Sequence, residues 1–210
     1  MVFYRIKAVS LFGFASCEAG SPLYNEAFEV ARFLAENNLE VVNGGGPGVM
    51  RAATEGAHAG GGKVTIATFY PKFIENFEGK DPLNKADREV ILDNYLERTM
   101  KLLELGNAYV IFNGGTGTLS ELGMAWGLAY LYMGHHKPLI LYGSFWHEVM
   151  EILARSMLIG ARPESLKVYK IATTPEDVVR ALEHYDNGMG ANHVEPKVTS
   201  VKTGEEAFMN

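Results

Sequence analysis

Residues 108–131 join an apolar run, a glycine-rich turn and a helical pattern, and this order constrains the fold more than any other feature. Residues 108–112 are the kind of continuous apolar segment that forms a strand buried on both faces. The turn 114–118 follows, and residues 119–131 place apolar side chains at helical spacing. A strand, a glycine turn and a helix in this order point backbone N–H groups at a phosphate. The segment therefore predicts a phosphate-binding β–α unit.

Strand and helix patterns alternate along the rest of the chain, which favours an α/β fold with a parallel sheet covered by helices on both faces. The predicted strands are 6–12, 39–43, 64–67, 89–92, 108–112, 138–142 and 168–172. The predicted helices are 22–37, 49–59, 95–105, 119–131, 145–157 and one that begins at Thr174-Pro175. Residues 68–87 are predicted to form a long loop, in which Tyr70, Phe73 and Phe77 could cover a ligand.

Composition narrows the class of protein. With 210 residues, of which 47% are apolar and 21% charged, the chain fits a single globular domain at 1–186 and a polar C-terminal tail at 187–210. The net charge of −6 argues against a nucleic-acid partner. The single cysteine, Cys17, excludes an intramolecular disulfide and is typical of a cytoplasmic protein. No apolar run approaches the length of a membrane span, so no membrane partner is expected.

A second glycine loop, at 44–48, also follows an apolar strand. In an open parallel sheet both loops would lie at the carboxyl edge, where ligands bind, and together they predict one nucleotide site. Neither loop matches the Walker A pattern or the dinucleotide fingerprint G-x-G-x-x-G. The alternative is that these glycines serve only tight turns between strand and helix.

Glu121 and Arg98 are the charged residues that could do chemistry beside these loops. Thr118-Leu119-Ser120-Glu121 also matches a capping box, in which the acid would bond to the helix N-terminus instead. A carboxylate near a helix N-terminus is stabilised in its charged form, which suits a base or a cation stabiliser rather than a general acid. Arg98, on the helix 95–105, could position an anion, or it could be a solvated surface charge.

Other polar residues are weaker candidates. Ser16 and Cys17 follow the first strand and could line the same sheet edge. His135 and His136 are adjacent at a helix end, but no carboxylate or further histidine lies at ligand spacing. No metal site is therefore predicted.

The two glycine loops, Arg98 and Glu121 together resemble the lonely guy (LOG) family, whose members were long labelled possible lysine decarboxylases. The family signature is P-G-G-x-G-T-x-x-E with an arginine on the preceding helix, and the resemblance covers about residues 8–159. The chain departs from it at Asn113, where proline is usual, and at Thr99, where many members have lysine. Tyr95 and its neighbours also differ from the usual Met-His before the arginine.

The resemblance implies a Rossmann-like, doubly wound fold, a homodimer and a phosphoribohydrolase. Such an enzyme cleaves the N-glycosidic bond of a nucleoside 5′-monophosphate, for example AMP or a cytokinin riboside monophosphate, to the free base and ribose 5-phosphate. The catalytic pair would be Arg98 and Glu121, with no cofactor and no metal. The predicted contacts to phosphate and ribose are Gly44, Gly45, Gly46, Gly48, Gly114, Gly115, Thr116, Gly117, Thr118 and Ser16.

The same fold and loops could instead hold a nucleotide, or a cofactor of the molybdopterin type, without cleaving it, since fold alone does not decide function. Amino-acid decarboxylation is disfavoured because no motif implies a lysine that would carry pyridoxal phosphate.

Overall fold

Seven strands make up the sheet in the part of the chain that the computed structural model describes, residues 2–71, 79–157 and 162–188. The strands are β1 (Ala8–Phe12), β2 (Glu40–Asn43), β3 (Val64–Phe69), β4 (Arg88–Leu92), β5 (Ala108–Ile111), β6 (Leu139–Tyr142) and β7 (Tyr169–Ala172). They lie in the order β4-β3-β2-β1-β5-β6-β7, and every neighbouring pair is parallel. The predicted Rossmann-like α/β class is confirmed.

Six α-helices connect these strands in the described residues. They are α1 (Pro22–Glu36), α2 (Val49–Ala59), α3 (Tyr95–Leu105), α4 (Thr116–Leu131), α5 (Trp146–Ser156) and α6 (Pro175–Gly188), with a short 3₁₀ helix at Pro163–Leu166. The predicted bounds lie within two residues of these, except that α4 begins earlier, at Thr116. The third strand is also longer than predicted and continues to Phe69.

Local capping explains where α1 and α3 begin. Ser21 accepts a hydrogen bond from the N–H of Tyr24 at 3.4 Å, and Pro22 takes the first helical position, where its missing N–H costs nothing. Asn94 caps α3 by accepting from the N–H of Glu97 at 3.0 Å. At the other end of α3, the buried Lys137 ammonium donates to three backbone carbonyls, those of Leu103, Glu104 and Gly106. The helix is thus held at both ends.

The apolar core forms two layers, one on each face of the sheet. Helices α1, α2 and α6 bury their apolar residues against one face, and α3, α4 and α5 against the other. After β1 the chain continues into α1, in the first layer, and after β5 it continues into α4, in the second layer. The connections that follow these two neighbouring strands therefore run to opposite faces of the sheet. Parallel sheets bind ligands in the crevice that such a divergence opens at the carboxyl ends of the strands.

Near the chain ends, α6 holds the segment before β1. The Asp186 carboxylate accepts from the N–H groups of Tyr4, Arg5 and Ile6 at 2.7, 2.9 and 3.0 Å. Of the predicted tail, positions 187 and 188 belong to α6, and residues 189–210 lie outside the described residues. The division into a domain and a tail stays a prediction. No helix within the described ranges has both the length and the apolarity that crossing a bilayer requires.

Candidate active site

A cavity of about 480 Å³ opens at the carboxyl ends of β1, β2 and β5. The residues after β1 form one wall, the loop after β2 and the start of α3 form a second, and the first turn of α4 forms a third. The predicted residues that line it are Gly44, Gly46, Arg98, Gly115, Thr116, Gly117, Thr118 and Glu121. The topological crevice and the predicted site therefore coincide.

Arg98 and Glu121 form a buried ion pair on the wall of this cavity. The Arg98 Nη1 donates to the Glu121 Oε1 at 2.8 Å, although 23 positions separate the two residues. The Arg98 Nε donates to the carbonyl of Ala67 at 3.3 Å, and its Nη2 lies 3.7 Å from the Met50 Sδ. Arg98 is 7% exposed, so the alternative of a solvated surface charge is wrong.

The position of Glu121 differs from the capping box that its spacing allowed. Helix α4 begins at Thr116 with Gly115 as its N-cap, so Thr118 lies inside the helix. No side chain caps this end, and the Glu121 carboxylate faces Arg98. The first-turn N–H groups of an α-helix have no intrahelical acceptor, so those of α4 remain for a ligand at the cavity wall.

Burial changes the acid strength expected of Glu121. Its side chain is almost completely enclosed, and this desolvation raises the pKa of Glu121 to about 7, against the opposing charge and hydrogen bond of Arg98. Burial therefore outweighs the preference for the charged form that is expected near a helix N-terminus. A carboxyl group with a pKa near neutrality can both accept and return a proton.

The second glycine loop lies directly beneath the guanidinium of Arg98. A Cβ atom on Gly44 would lie 1.6 Å from the Arg98 Nη2, and one on Gly46 would lie 2.4 Å from the Met50 Cε. Glycine at 44 is therefore needed to leave room for the arginine. These two glycines therefore leave space for the side chains of Arg98 and Met50, in addition to forming the turn.

Four of the predicted contact residues do not line the cavity. Gly45 and Gly48 have positive φ angles, 72° and 62°, and Gly48 packs against the backbone carbonyls of Phe14 and Ala15. A Cβ on Gly114 would lie 2.1 Å from the Thr118 Oγ1. These three glycines shape the loops, and Ser16 is exposed outside the cavity.

Tyr95 and Ser120 line the cavity, although their side chains were not among the predicted contacts. The Tyr95 Oη lies 2.9 Å from the Ser120 Oγ, and the Tyr95 ring centroid is 6.0 Å from the Arg98 Cζ. The only sequence signal for Tyr95 was its departure from the family pattern three positions before Arg98. Nothing in the spacing pointed to Ser120.

The two other departures from the family pattern are compatible with this geometry. Asn113 contributes its backbone carbonyl, which accepts from the N–H of Phe14 at 3.0 Å, and proline could make the same bond. Thr99 is fully buried and does not line the cavity.

Two of the remaining candidates, Cys17 and Tyr70, do not line the cavity. Cys17 is half-buried, and burial raises the pKa of its thiol. Tyr70 is exposed and does not line this cavity, whereas Phe73 and Phe77 lie outside the described residues. Across the described ranges, no three His, Cys, Asp or Glu side chains form a cluster that could hold a metal ion.

Comparison with known proteins places the chain among relatives of one family. It is 33% identical over 134 residues to the cytokinin riboside 5′-monophosphate phosphoribohydrolase of Mycobacterium tuberculosis, covering 61% of this chain and 69% of that protein. It is 24% identical over 186 residues to a probable enzyme of the same name from Oryza sativa subsp. japonica, covering 86% of this chain and 74% of that protein.

Solved structures share the fold at lower identity. The molybdenum cofactor binding protein from Rippkaea orientalis superposes with a TM-score of 0.62 at 18% identity, over 86% of this chain and 98% of that one. This likeness concerns the fold alone.

The family model described as "possible lysine decarboxylase" matches residues 50–182, which include Arg98, the glycine turn and Glu121. This match extends over more than half of the chain. The chain therefore belongs to the possible lysine decarboxylase family, which is also called the lonely guy (LOG) family.

Proposed function

We propose that this protein is a phosphoribohydrolase that cleaves the N-glycosidic bond of a nucleoside 5′-monophosphate, such as AMP or a cytokinin riboside monophosphate. The observation that carries the proposal is the buried Arg98–Glu121 pair beside the uncapped N-terminus of α4, inside one cavity. The names of the Mycobacterium tuberculosis and Oryza sativa relatives agree with this reaction. The products are the free base and ribose 5-phosphate.

The 5′-phosphate binds the backbone N–H groups at the start of α4. Gly115, Thr116, Gly117 and Thr118 line the cavity there, and the positive end of the helix dipole favours an anion. A Cβ on Gly115 would meet no atom within 4 Å, so this glycine leaves open space beside the loop. The phosphate thereby anchors the substrate with its ribose near Glu121.

Glu121 acts at the ribose, where bond cleavage builds positive charge. The glycosidic C1′–N bond breaks with its electron pair going to the base, and the oxygen of a water molecule bonds to C1′. The Glu121 carboxylate stabilises the cationic ribose and takes one proton from that water. It then returns the proton to the leaving base, which the raised pKa of Glu121 allows near neutral pH.

Arg98 positions the carboxylate for this chemistry. Its guanidinium stays charged, so it donates hydrogen bonds and never a catalytic proton. The bonds to Glu121 and to the Ala67 carbonyl hold the guanidinium in one place. Precise placement of catalytic groups lowers the barrier because little reorganisation remains for the reaction itself.

The test is incubation of the purified protein with AMP, GMP, CMP, UMP and isopentenyladenosine 5′-monophosphate, followed by chromatography for free base and ribose 5-phosphate. The expected result is release of base from at least one of them. Glu121→Gln should lower kcat by about 10²- to 10⁴-fold, the usual contribution of a general acid–base group. Glu97→Gln makes the same chemical change on the exposed side of α3 and should leave kcat unchanged.

Failure to release base from any nucleotide would contradict the hydrolase. Tight nucleotide binding without release of base would instead favour a carrier function. Binding of a molybdopterin-type cofactor would indicate that the protein carries that cofactor. The same panel identifies the preferred base.

A homodimer is the second part of the proposal. Leu96 and Met100 lie four positions apart on α3 and are 67% and 39% exposed, and Leu119 on the first turn of α4 is 53% exposed. The two helices meet nearby, where the Tyr95 and Ser120 hydroxyls lie 2.9 Å apart, and exposed apolar side chains in such a region are typical of a protein interface. Light scattering coupled to size exclusion should give twice the chain mass for the wild type and less for Leu96→Lys. Leu83→Lys, at an exposed leucine outside both helices, is the control; a monomeric wild type would contradict the dimer.

A further inference from the structure

Three buried polar side chains form a closed hydrogen-bonded ring behind the second glycine loop. The Asn43 Nδ2 donates to the Thr54 Oγ1 at 2.9 Å, and the Thr54 hydroxyl donates to the Asn84 Oδ1 at 2.6 Å. The Asn84 Nδ2 completes the ring by donating to the Asn43 Oδ1 at 3.3 Å. All three residues are at most 2% exposed, and none lines the cavity.

The ring holds the backbone of the glycine loop. The Asn84 Nδ2 donates to the carbonyl of Gly46 at 2.9 Å, and the N–H of Gly45 donates to the Asn43 Oδ1 at 2.8 Å. The carbonyl of Gly45 accepts from the N–H of Asp81 at 3.0 Å. The loop is therefore fixed by the segment that precedes β4 as well as by its own strand.

The glycine loop in turn packs against the side chain of Arg98. Gly44 approaches the guanidinium so closely that any side chain there would displace it, and Gly46 packs against Met50, whose sulfur faces the Arg98 Nη2. A displacement of the loop toward the cavity would collide with the guanidinium. A displacement away from it would remove the support.

We propose that Asn84 and Thr54 are positioning residues that hold the glycine loop 44–48 beneath Arg98 and so set the alignment of the Arg98–Glu121 pair. An apolar side chain at position 84 could fill the same space, but it could not bond the Gly46 carbonyl. Removing one member of a buried polar ring leaves its partners unsatisfied, so the loop would shift to recover a partner. For its kinetic readout the proposal rests on the hydrolase function proposed above.

The test uses matched threonine variants. Thr54→Val keeps the shape of the side chain and removes the donor to Asn84, whereas Thr54→Ser keeps the hydroxyl. Thr65→Val is the control, because Thr65 is also 2% exposed and its hydroxyl bonds Glu40 outside the cavity. Asn84→Asp is the second variant, since a carboxylate at this position cannot donate to the Gly46 carbonyl.

For Thr54→Val we expect kcat to fall about tenfold or more while KM changes less than about threefold, because the phosphate loop at α4 is untouched. Thr54→Ser should restore kcat to within about threefold of the wild type, and Thr65→Val should match the wild type. Unchanged kcat in folded Thr54→Val, or a rise in KM alone, would overturn the proposal. So would an equal loss of kcat in Thr65→Val.

Hydrogen exchange at the loop separates this proposal from the proposed hydrolysis. Amide exchange at Gly45, whose N–H donates to the Asn43 Oδ1, should be faster in Asn84→Asp and Thr54→Val than in Thr65→Val. If the wild type releases no base, the hydrolase function fails, while faster exchange confined to this loop still supports the positioning role. Unchanged exchange in both variants would overturn the positioning role, whatever the activity.

Discussion

The guanidinium of Arg98 and the carboxylate of Glu121 meet at 2.8 Å, with both side chains only 8% exposed. A buried ion pair loses the solvation of both charges, so its geometry must recover that cost through hydrogen bonds. Here the arginine makes further contacts with Ala67 and Met50, whereas the described contact of the carboxylate is with Arg98 alone. This asymmetry leaves Glu121 as the member whose protonation responds to pH and to a ligand.

Activity should depend on pH through Glu121. Because burial raises the pKa of this carboxyl to about 7, the carboxylate form that accepts a proton from water is lost as the pH falls below that value. We expect kcat/KM for AMP hydrolysis to decrease about tenfold per pH unit on the acid side. Initial rates between pH 5 and pH 9 measure this limb; a flat profile down to about pH 5 would contradict it, since an ordinary glutamate titrates lower.

Gly44→Ala should disable catalysis by displacing Arg98. The added Cβ would lie 1.6 Å from the Arg98 Nη2, so the guanidinium has to leave its present position beside Glu121. A misplacement of about 1 Å costs about a hundredfold in rate, and we expect a fall in kcat of that size. Gly127→Ala, on α4 with open space around it, is the control and should keep full activity. Wild-type kcat in Gly44→Ala would show that the arginine is not needed where it lies.

Gly115→Val should weaken phosphate binding with little effect on folding. A Cβ at this position meets no protein atom within 4 Å, so the larger side chain occupies the space left for the ligand. The KM for AMP should rise about tenfold or more, a loss of about 1.4 kcal/mol in binding. Initial rates and titration with inorganic phosphate measure the change, and thermal unfolding checks the fold. Unchanged affinity would remove the 115–118 turn from the phosphate site.

Asp186→Asn should destabilise the domain where α6 holds the N-terminal segment. Burial alone would raise the pKa of Asp186, but its three backbone N–H donors lower it below the ordinary value of 3.8. We expect a loss of about 2 kcal/mol in the free energy of unfolding at pH 7, as for hydrogen bonds to a charged group. A lowered pKa means that this stabilisation is present above the unfolded-state pKa and is lost as the pH falls.

Urea unfolding at pH 7 and at pH 3 measures both parts of this prediction for Asp186. The difference between wild type and Asp186→Asn should shrink at the lower pH. Glu176→Gln, at an exposed position on the first turn of α6, should change the unfolding free energy by no more than about 0.5 kcal/mol. A difference that grows in acid would contradict the stated role of the carboxylate.

The order of the elements, both glycine loops and the two charged residues could be predicted from the sequence. These features are local: buried strands are continuous apolar runs, and a strand followed by glycines and an apolar period identifies a β–α unit. Arg98 needed the family pattern as well, because a single arginine on a helix has no local signal that separates a buried position from a solvated one.

The parts that could not be predicted depend on contacts between distant positions. The pKa of Glu121 depends on its burial beside Arg98, and the start of α4 at Thr116 excludes the capping box that the spacing allowed. Asn84 reaches Asn43 across 41 positions, through a segment that has no periodic pattern. Hydrogen bonds of this kind depend on the tertiary fold, which brings distant segments into contact. They cannot be predicted from the spacing of residues along the chain.

The close approach of Gly44 to Arg98 also has an evolutionary consequence. A relative that loses the arginine no longer needs an empty space at position 44, so an alanine becomes tolerable there. If alanine is already present at position 44, a returning arginine would have to place its guanidinium elsewhere. Substitutions at these two positions should therefore be strongly epistatic, and their joint state should separate family members that keep the ion pair from those that have lost it.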